Sequence, residues 1–153
     1  MLTPEERSEI LQEAEHYPHR QAACVAALKI VQKHRGFISV ELEEVAELIG
    51  MTPTELEGVG TFFSHIYLKQ LGRHVIFICD SISCWVMGYE ALFKHLQDRL
   101  GIGPGETSSD GRFTLMPIAC LGICEFAPAM MVDEVLYTKL DTVTIDRILE
   151  QYP

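Results

Sequence analysis

His74-Val75-Ile76-Phe77-Ile78-Cys79-Asp80-Ser81-Ile82-Ser83-Cys84 is an apolar, β-branched run that ends on a cysteine pair. Phe113-Thr114-Leu115-Met116-Pro117-Ile118-Ala119-Cys120-Leu121-Gly122-Ile123-Cys124 repeats that plan. Neither run has helical spacing, so each predicts a buried strand, over residues 74–79 and 113–118. Between them Tyr89, Leu92, Phe93, Leu96 and Leu100 recur at helical spacing, and Gly101 stops that helix. Strand, helix and strand make a βαβ crossover, which predicts two adjacent parallel strands. Both cysteine loops then leave the carboxyl ends of those strands, where open α/β sheets place their sites.

The cysteine spacing is C-x4-C, a gap of thirty-five residues, then C-x3-C. Cys79, Cys84, Cys120 and Cys124 can therefore present four thiolates from two loops, to an iron–sulfur cluster or to a zinc ion. Two disulfides or four ordinary buried cysteines are the alternatives at this point. Structural zinc usually sits in tighter knuckles on small ribbons. A Rieske centre needs two histidine ligands, and neither cysteine loop holds one; plant-type ferredoxins place three cysteines in one run. The chain has no C-x-x-C dithiol. The two-plus-two arrangement suits a [2Fe–2S] rhomb ligated at both ends, with a zinc-stabilised interaction module as the alternative of another class.

Downstream, Pro128–Val132 and Leu136–Leu140 read as a hairpin turning at Asp133-Glu134, and a short helix over about 143–151 closes the chain. Upstream the texture is helical. Thr3-Pro4-Glu5-Glu6 and Thr52-Pro53-Thr54-Glu55 are capping boxes with proline in the first turn. Helices are expected over about 3–16, 20–34, 40–49 and 52–63, with Gly36 and Gly50 ending the second and third. Cys24 lies near the apolar stripe of the second and reads as a small buried hydrophobe. The expected fold class is α/β: an N-terminal helical bundle followed by a thioredoxin-like βαβ-ββα domain. The expected division is a helical docking unit over 1–71 and the cysteine-bearing domain over 72–153, with Phe62, Phe63 and Tyr67 available to a core or a partner.

Composition excludes several classes. Twelve basic against twenty-two acidic residues give a net charge of −10 over 153 residues. That balance opposes binding to nucleic acid and to anionic membrane surfaces. The helix–turn–helix texture around Gly50 is a decoy: the fourth helix opens with Glu55 and Glu57 and has no Lys or Arg before Lys69. Apolar runs fall far short of a membrane span. No secretion signal marks the N-terminus, so five cysteines point to a reducing, cytoplasmic setting in which paired cysteines more often hold metal. Gly101-x-Gly103-x-Gly105 follows a helix and opens none, so it is no dinucleotide fingerprint. With no flavin or nucleotide motif and no catalytic residues, the isolated chain is expected to carry out no catalysis of its own.

Ala27-Leu28-Lys29-Ile30-Val31-Gln32, Glu57-Gly58-Val59, Thr61-Phe62-Phe63, Gly72-Arg73-His74-Val75-Ile76, Cys79-Asp80-Ser81, Asp110–Leu115, Cys120-Leu121-Gly122-x-Cys124 and Pro128-x-Met130-Met131 carry a family resemblance over nearly the whole chain. The sequence resembles the E subunits of bacterial NADH:quinone oxidoreductase (respiratory complex I), members of the thioredoxin-like [2Fe–2S] ferredoxin family. The resemblance implies that Cys79, Cys84, Cys120 and Cys124 ligate one [2Fe–2S] cluster. It also implies docking beside the F subunit, which would carry the FMN and bind NADH, on the cytoplasmic peripheral arm of the membrane-bound complex. A related protein serves NAD-linked formate dehydrogenases and hydrogenases, and the ligand motif does not separate these. Such a cluster with four thiolates has a formal charge of about −2, and about −3 when reduced, so an acidic chain favours a low potential. N–H groups around Gly122 are placed to offset part of that charge.

Overall fold

The computed structural model describes residues 1–153, in two compact units, Met1–Gln70 and Leu71–Pro153. The first unit holds four helices: α1 (Pro4–Ala14), α2 (Cys24–Arg35), α3 (Glu41–Ile49) and α4 (Pro53–Phe62). Both capping boxes form, Thr3 with Glu6 and Thr52 with Glu55. The helix expected from residue 20 begins instead as a 3₁₀ turn, Arg20–Ala23, before α2. Ile10, Ala27, Leu28, Val31, Val45, Ile49 and Leu56 fill the core of this unit. Glu6 and Glu41 are buried beside them, and the Arg35 side chain bonds both. Phe62 and Phe63 are exposed and meet edge to face, with ring centroids 5.2 Å apart.

The second unit is built on β1 (His74–Cys79), α5 (Ile82–Val86), α6 (Tyr89–Leu100), β2 (Phe113–Ile118), β3 (Met130–Val132), β4 (Val135–Tyr137) and α7 (Thr142–Glu150). The strands form one sheet in the order β2-β1-β3-β4. β1 and β2 run parallel, in register from His74 opposite Phe113 to Cys79 opposite Ile118. β3 pairs antiparallel with both β1 and β4. The expected βαβ-ββα order is thus present. β1 is central, and its buried run Val75–Cys79 explains why it reads as continuous rather than alternating. β2 is the outer strand of the sheet, and residues 105–108 bond to its other edge only at Phe113 and Leu115, short of Pro117, which therefore sits in the strand without breaking a ladder. Ile76, Ile78, Phe113, Leu115, Leu92, Leu96, Ile145 and Ile148 make the core against α6 and α7.

Two local devices fix the sheet around the strand pair. Gly72 lies so close to β2 that an added Cβ would stand 2.9 Å from the Phe113 carbonyl carbon, so only glycine fits there. Asp133, in the hairpin turn, accepts from the Val75 N–H at 2.9 Å and meets His74 Nδ1 at 2.8 Å, pinning the turn to β1. One expectation fails: residues 80–83 are not a simple loop to Cys84, because α5 forms there and carries Cys84. Its exposed face is apolar (Ile82, Trp85, Val86), which inverts the pattern that marks a helix in sequence. The hairpin strands are also shorter than the runs expected, three residues each.

Candidate metal centre

Each cysteine is placed by an element already described. Cys79 is the last residue of β1, and its N–H donates to the Ala129 carbonyl at 3.1 Å. The ladder continues one step beyond it, where the Asp80 N–H donates to the Ile118 carbonyl at 3.0 Å. α5 turns Cys84 inward, so Cys79 and Cys84 are both buried, with Ala127 and Ala129 against them. Cys120 and Cys124 follow β2 and are exposed. Gly122 between them takes φ 80°, which folds the loop back until its N–H donates to Cys120 Sγ at 3.3 Å. Cys124 then opens a 3₁₀ turn, Cys124–Phe126. The Ala127–Pro128 peptide beyond it is cis.

The structure brings the two pairs together. Cys120 Sγ and Cys124 Sγ stand 3.7 Å apart. α5, which carries Cys84, touches the 3₁₀ turn that begins at Cys124, and Leu121 and Ile123 pack against the buried group of Cys79, Cys84, Ala127 and Ala129. Two sulfurs bound to one tetrahedral ion at about 2.3 Å lie about 3.8 Å apart, so the Cys120–Cys124 pair already has the span of two ligands on one metal. A disulfide needs about 2.05 Å, and all five cysteines are free. No group of three or more His, Cys, Asp or Glu side chains is arranged around a single ion. A binuclear cluster asks only two thiolates of each iron, and one pair per loop is what the fold supplies. The donor set therefore fits a [2Fe–2S] cluster better than one zinc ion.

Electrostatics separate Cys84 from Cys120. Burial, with the Cys79 thiol beside it, pushes the Cys84 thiol up to about 11. The Gly122 N–H, and then Cys124, hold Cys120 below the usual thiol range. Metal binding requires thiolates, so Cys120 is readier than Cys84 to take iron, and Cys84 depends on the metal's own charge to ionise. Cys24 is not part of the site; it is half-buried against the core of the N-terminal unit. A cleft lined by Arg99, Leu100, Arg112, Leu149 and Glu150 includes no residue of the cysteine loops. Asp80 and Glu125, next to cysteines in sequence, are both exposed.

Comparison with known proteins agrees with this geometry. The pattern of the thioredoxin-like [2Fe-2S] ferredoxin family matches residues 10–153. The NADH-quinone oxidoreductase E subunit of Pseudomonas aeruginosa is 42% identical over 153 residues, which is 99% of this chain and 92% of the relative. Its Escherichia coli counterpart is 43% identical over 152 residues, again 99% of this chain and 92% of the relative. Among solved structures, an air-oxidised NAD+-reducing [NiFe]-hydrogenase is similar, with a TM-score of 0.71 and 26% identity. That match covers 88% of this chain but only 24% of the hydrogenase chain.

Proposed function

The chain belongs to the thioredoxin-like [2Fe-2S] ferredoxin family, and from that premise we infer that Cys79, Cys84, Cys120 and Cys124 ligate its cluster. The role that fits is a one-electron carrier within NADH:quinone oxidoreductase, exchanging electrons with the FMN of an adjoining, NADH-binding F subunit. The observation that carries this reading is the two-plus-two sulfur set at the carboxyl ends of β1 and β2, with Cys120 and Cys124 at 3.7 Å.

When bound, the cluster accepts and returns a single electron between two iron ions. The chain's residues supply the rest. Cys79 and Cys84, buried with Ala127 and Ala129 against them, would supply two of the ligands away from water. Cys120 and Cys124, which are exposed, would supply the other two, nearer to solvent and to a docked partner. The Gly122 N–H places a fixed partial positive charge on Cys120, which stabilises added negative charge there. β1 and β2 hold the starts of both loops in fixed register. Two-electron oxidation of NADH then belongs to the partner.

The helices of 1–71 are assigned to docking and residues 72–153 to the ferredoxin domain. No helix is long and apolar enough to cross a membrane. The proposed place is the cytoplasmic peripheral arm of the complex. A hydrogenase or formate dehydrogenase assembly is the second reading, favoured only by the hydrogenase likeness at 26% identity against 42% for the quinone-linked relative.

The test is anaerobic NADH addition to the purified chain, with and without the flavin-bearing partner, followed by visible absorption. Bleaching only with the partner present is the expected result. Bleaching of the isolated chain by NADH would overturn the assignment of flavin chemistry to a partner.

A further inference from the structure

Two residues other than glycine take left-handed backbone, Asp133 at φ 53° and Lys139 at φ 51°. Asp133 sits in the hairpin turn, and aspartate is among the residue types that tolerate that conformation. Lysine is not, and glycine is the ordinary occupant of such a position. A strained residue persists only where its surroundings hold it, and such residues gather at functional sites.

What holds Lys139 is a cysteine loop. Its N–H donates to the Phe126 carbonyl at 2.9 Å, and the Leu140 N–H after it donates to the Pro128 carbonyl at 3.2 Å. Phe126 ends the 3₁₀ turn that Cys124 opens. The lysine side chain returns to the same residue, with Nζ 5.6 Å from the centre of the Phe126 ring. An ammonium within about 6 Å of a ring centre is attracted to it. Backbone and side chain of Lys139 thus both seat on the turn that carries Cys124.

The other lysines and arginines of this unit are placed elsewhere. Arg73 and Arg112 precede β1 and β2, at the ends of the strands away from the cysteines. Lys94 and Arg99 on α6 pair with Asp98 and Asp146, and Arg147 lies in the last turn of α7. Asp80 and Glu125, beside the cysteines in sequence, are acidic. Lys139 is the cation set against a cysteine loop.

We propose that Lys139 tunes the cluster: its ammonium, seated on the Phe126 ring beside the Cys124 turn, favours the reduced state. This rests on the ligation reading given above. Reduction adds one electron, from the partner's reduced flavin or from dithionite in the test; no bond forms or breaks, and Lys139 keeps its proton. A positive charge at that edge interacts more favourably with a formal charge of about −3 than with one of about −2. A position suited to glycine thus keeps lysine for its side chain.

The experiment uses the full-length chain loaded with cluster, comparing wild type, Lys139→Gly and Lys139→Arg. Glycine suits φ 51° and keeps the N–H to Phe126, so Lys139→Gly removes the ammonium alone. Iron and sulfide content is measured first, and then the midpoint potential by EPR-monitored titration at low and at high salt. Lys139→Gly should keep its cluster while the one-electron equilibrium at low salt shifts against reduction by about two- to threefold, or about 18–28 mV at 59 mV per tenfold. High salt should erase that shift, and Lys139→Arg, which keeps the charge, should titrate with wild type. An unchanged midpoint in fully loaded Lys139→Gly at low salt would overturn the inference. So would a shift that high salt leaves intact, or loss of cluster from Lys139→Gly, since the side chain would then act on geometry or assembly and not by charge. Cluster retained unaltered by Cys124→Ala would instead overturn the ligation reading on which the inference rests.

Discussion

Replacing Arg35 by Met should destabilise the N-terminal helical unit more than any other single surface-reaching change. The guanidinium ties three helices together: Nε donates to Glu6 Oε1 at 2.6 Å, Nη2 to Glu6 Oε2 at 2.6 Å and Nη1 to Glu41 Oε1 at 2.6 Å. Nη2 also reaches the Met1 carbonyl at 2.8 Å. Glu6 is 2% exposed and Glu41 5% exposed, so removal of the arginine leaves two buried carboxylates facing one gap. Breaking such a pair costs about 3–5 kcal/mol. The lower end applies here, because Glu6 keeps the Thr3 N–H and Glu41 keeps Ser39. A unit of this size has only about 4–10 kcal/mol in hand, so a loss of about 3 kcal/mol would lower its urea midpoint by about 1–3 M.

The pH dependence gives the prediction a sign. The Arg35 guanidinium beside Glu6 holds that carboxyl down to about 2, well below its usual value. A depressed native carboxyl contributes stability that is present above the unfolded value, about 4.3, and is lost as pH falls toward about 2. Wild type should therefore lose stability through that window, whereas Arg35→Met should show a flatter acid limb. Adding Glu6→Gln and Glu41→Gln to Arg35→Met should restore much of the loss. Urea titrations by circular dichroism between pH 7 and pH 2 measure all three. Equal midpoints and equal acid limbs for wild type and Arg35→Met would refute the reasoning.

Two further outcomes are expected. A chain starting at Gly72 keeps the four cysteines and a core of its own, so it should bind cluster but no longer co-purify with the flavin-bearing partner; undiminished partner binding would remove the docking role from the helices. Glu125 is exposed, so Glu125→Gln should raise the midpoint potential only slightly. At about 10 Å in water a unit charge is worth about 0.4 kcal/mol, or about 20 mV for one electron, and salt should erase it. A lowered midpoint would mean the electrostatic picture has the wrong sign.

Much of the fold is legible because local signals agree with it. Val75–Ile78 and Phe113–Leu115 are apolar without helical period, and β1 and β2 occupy the residues expected, in parallel. Both capping boxes form because their partners are three residues apart. What stays hidden depends on contacts between distant residues. Glu6 reads as a cap in sequence, but its second role, with Arg35, joins positions 29 residues apart. α5 escapes a pattern reading because its short turn faces apolar residues outward around the buried Cys84. Cys79 and Cys120 are forty-one positions apart, and the parallel pairing of β1 with β2 explains why their loops leave the sheet side by side.

The central claim is that four cysteines, and not the fifth, hold one two-iron cluster. Iron and acid-labile sulfide analysis, combined with EPR of the dithionite-reduced chain, tests it on wild type and on single alanine variants. Equal iron and sulfide, a red-brown colour and a reduced-cluster signal are predicted for wild type and for Cys24→Ala. Each of Cys79→Ala, Cys84→Ala, Cys120→Ala and Cys124→Ala should lose or sharply destabilise that cluster. A colourless wild-type chain carrying zinc, or bleaching by Cys24→Ala with Cys84→Ala intact, would contradict the account.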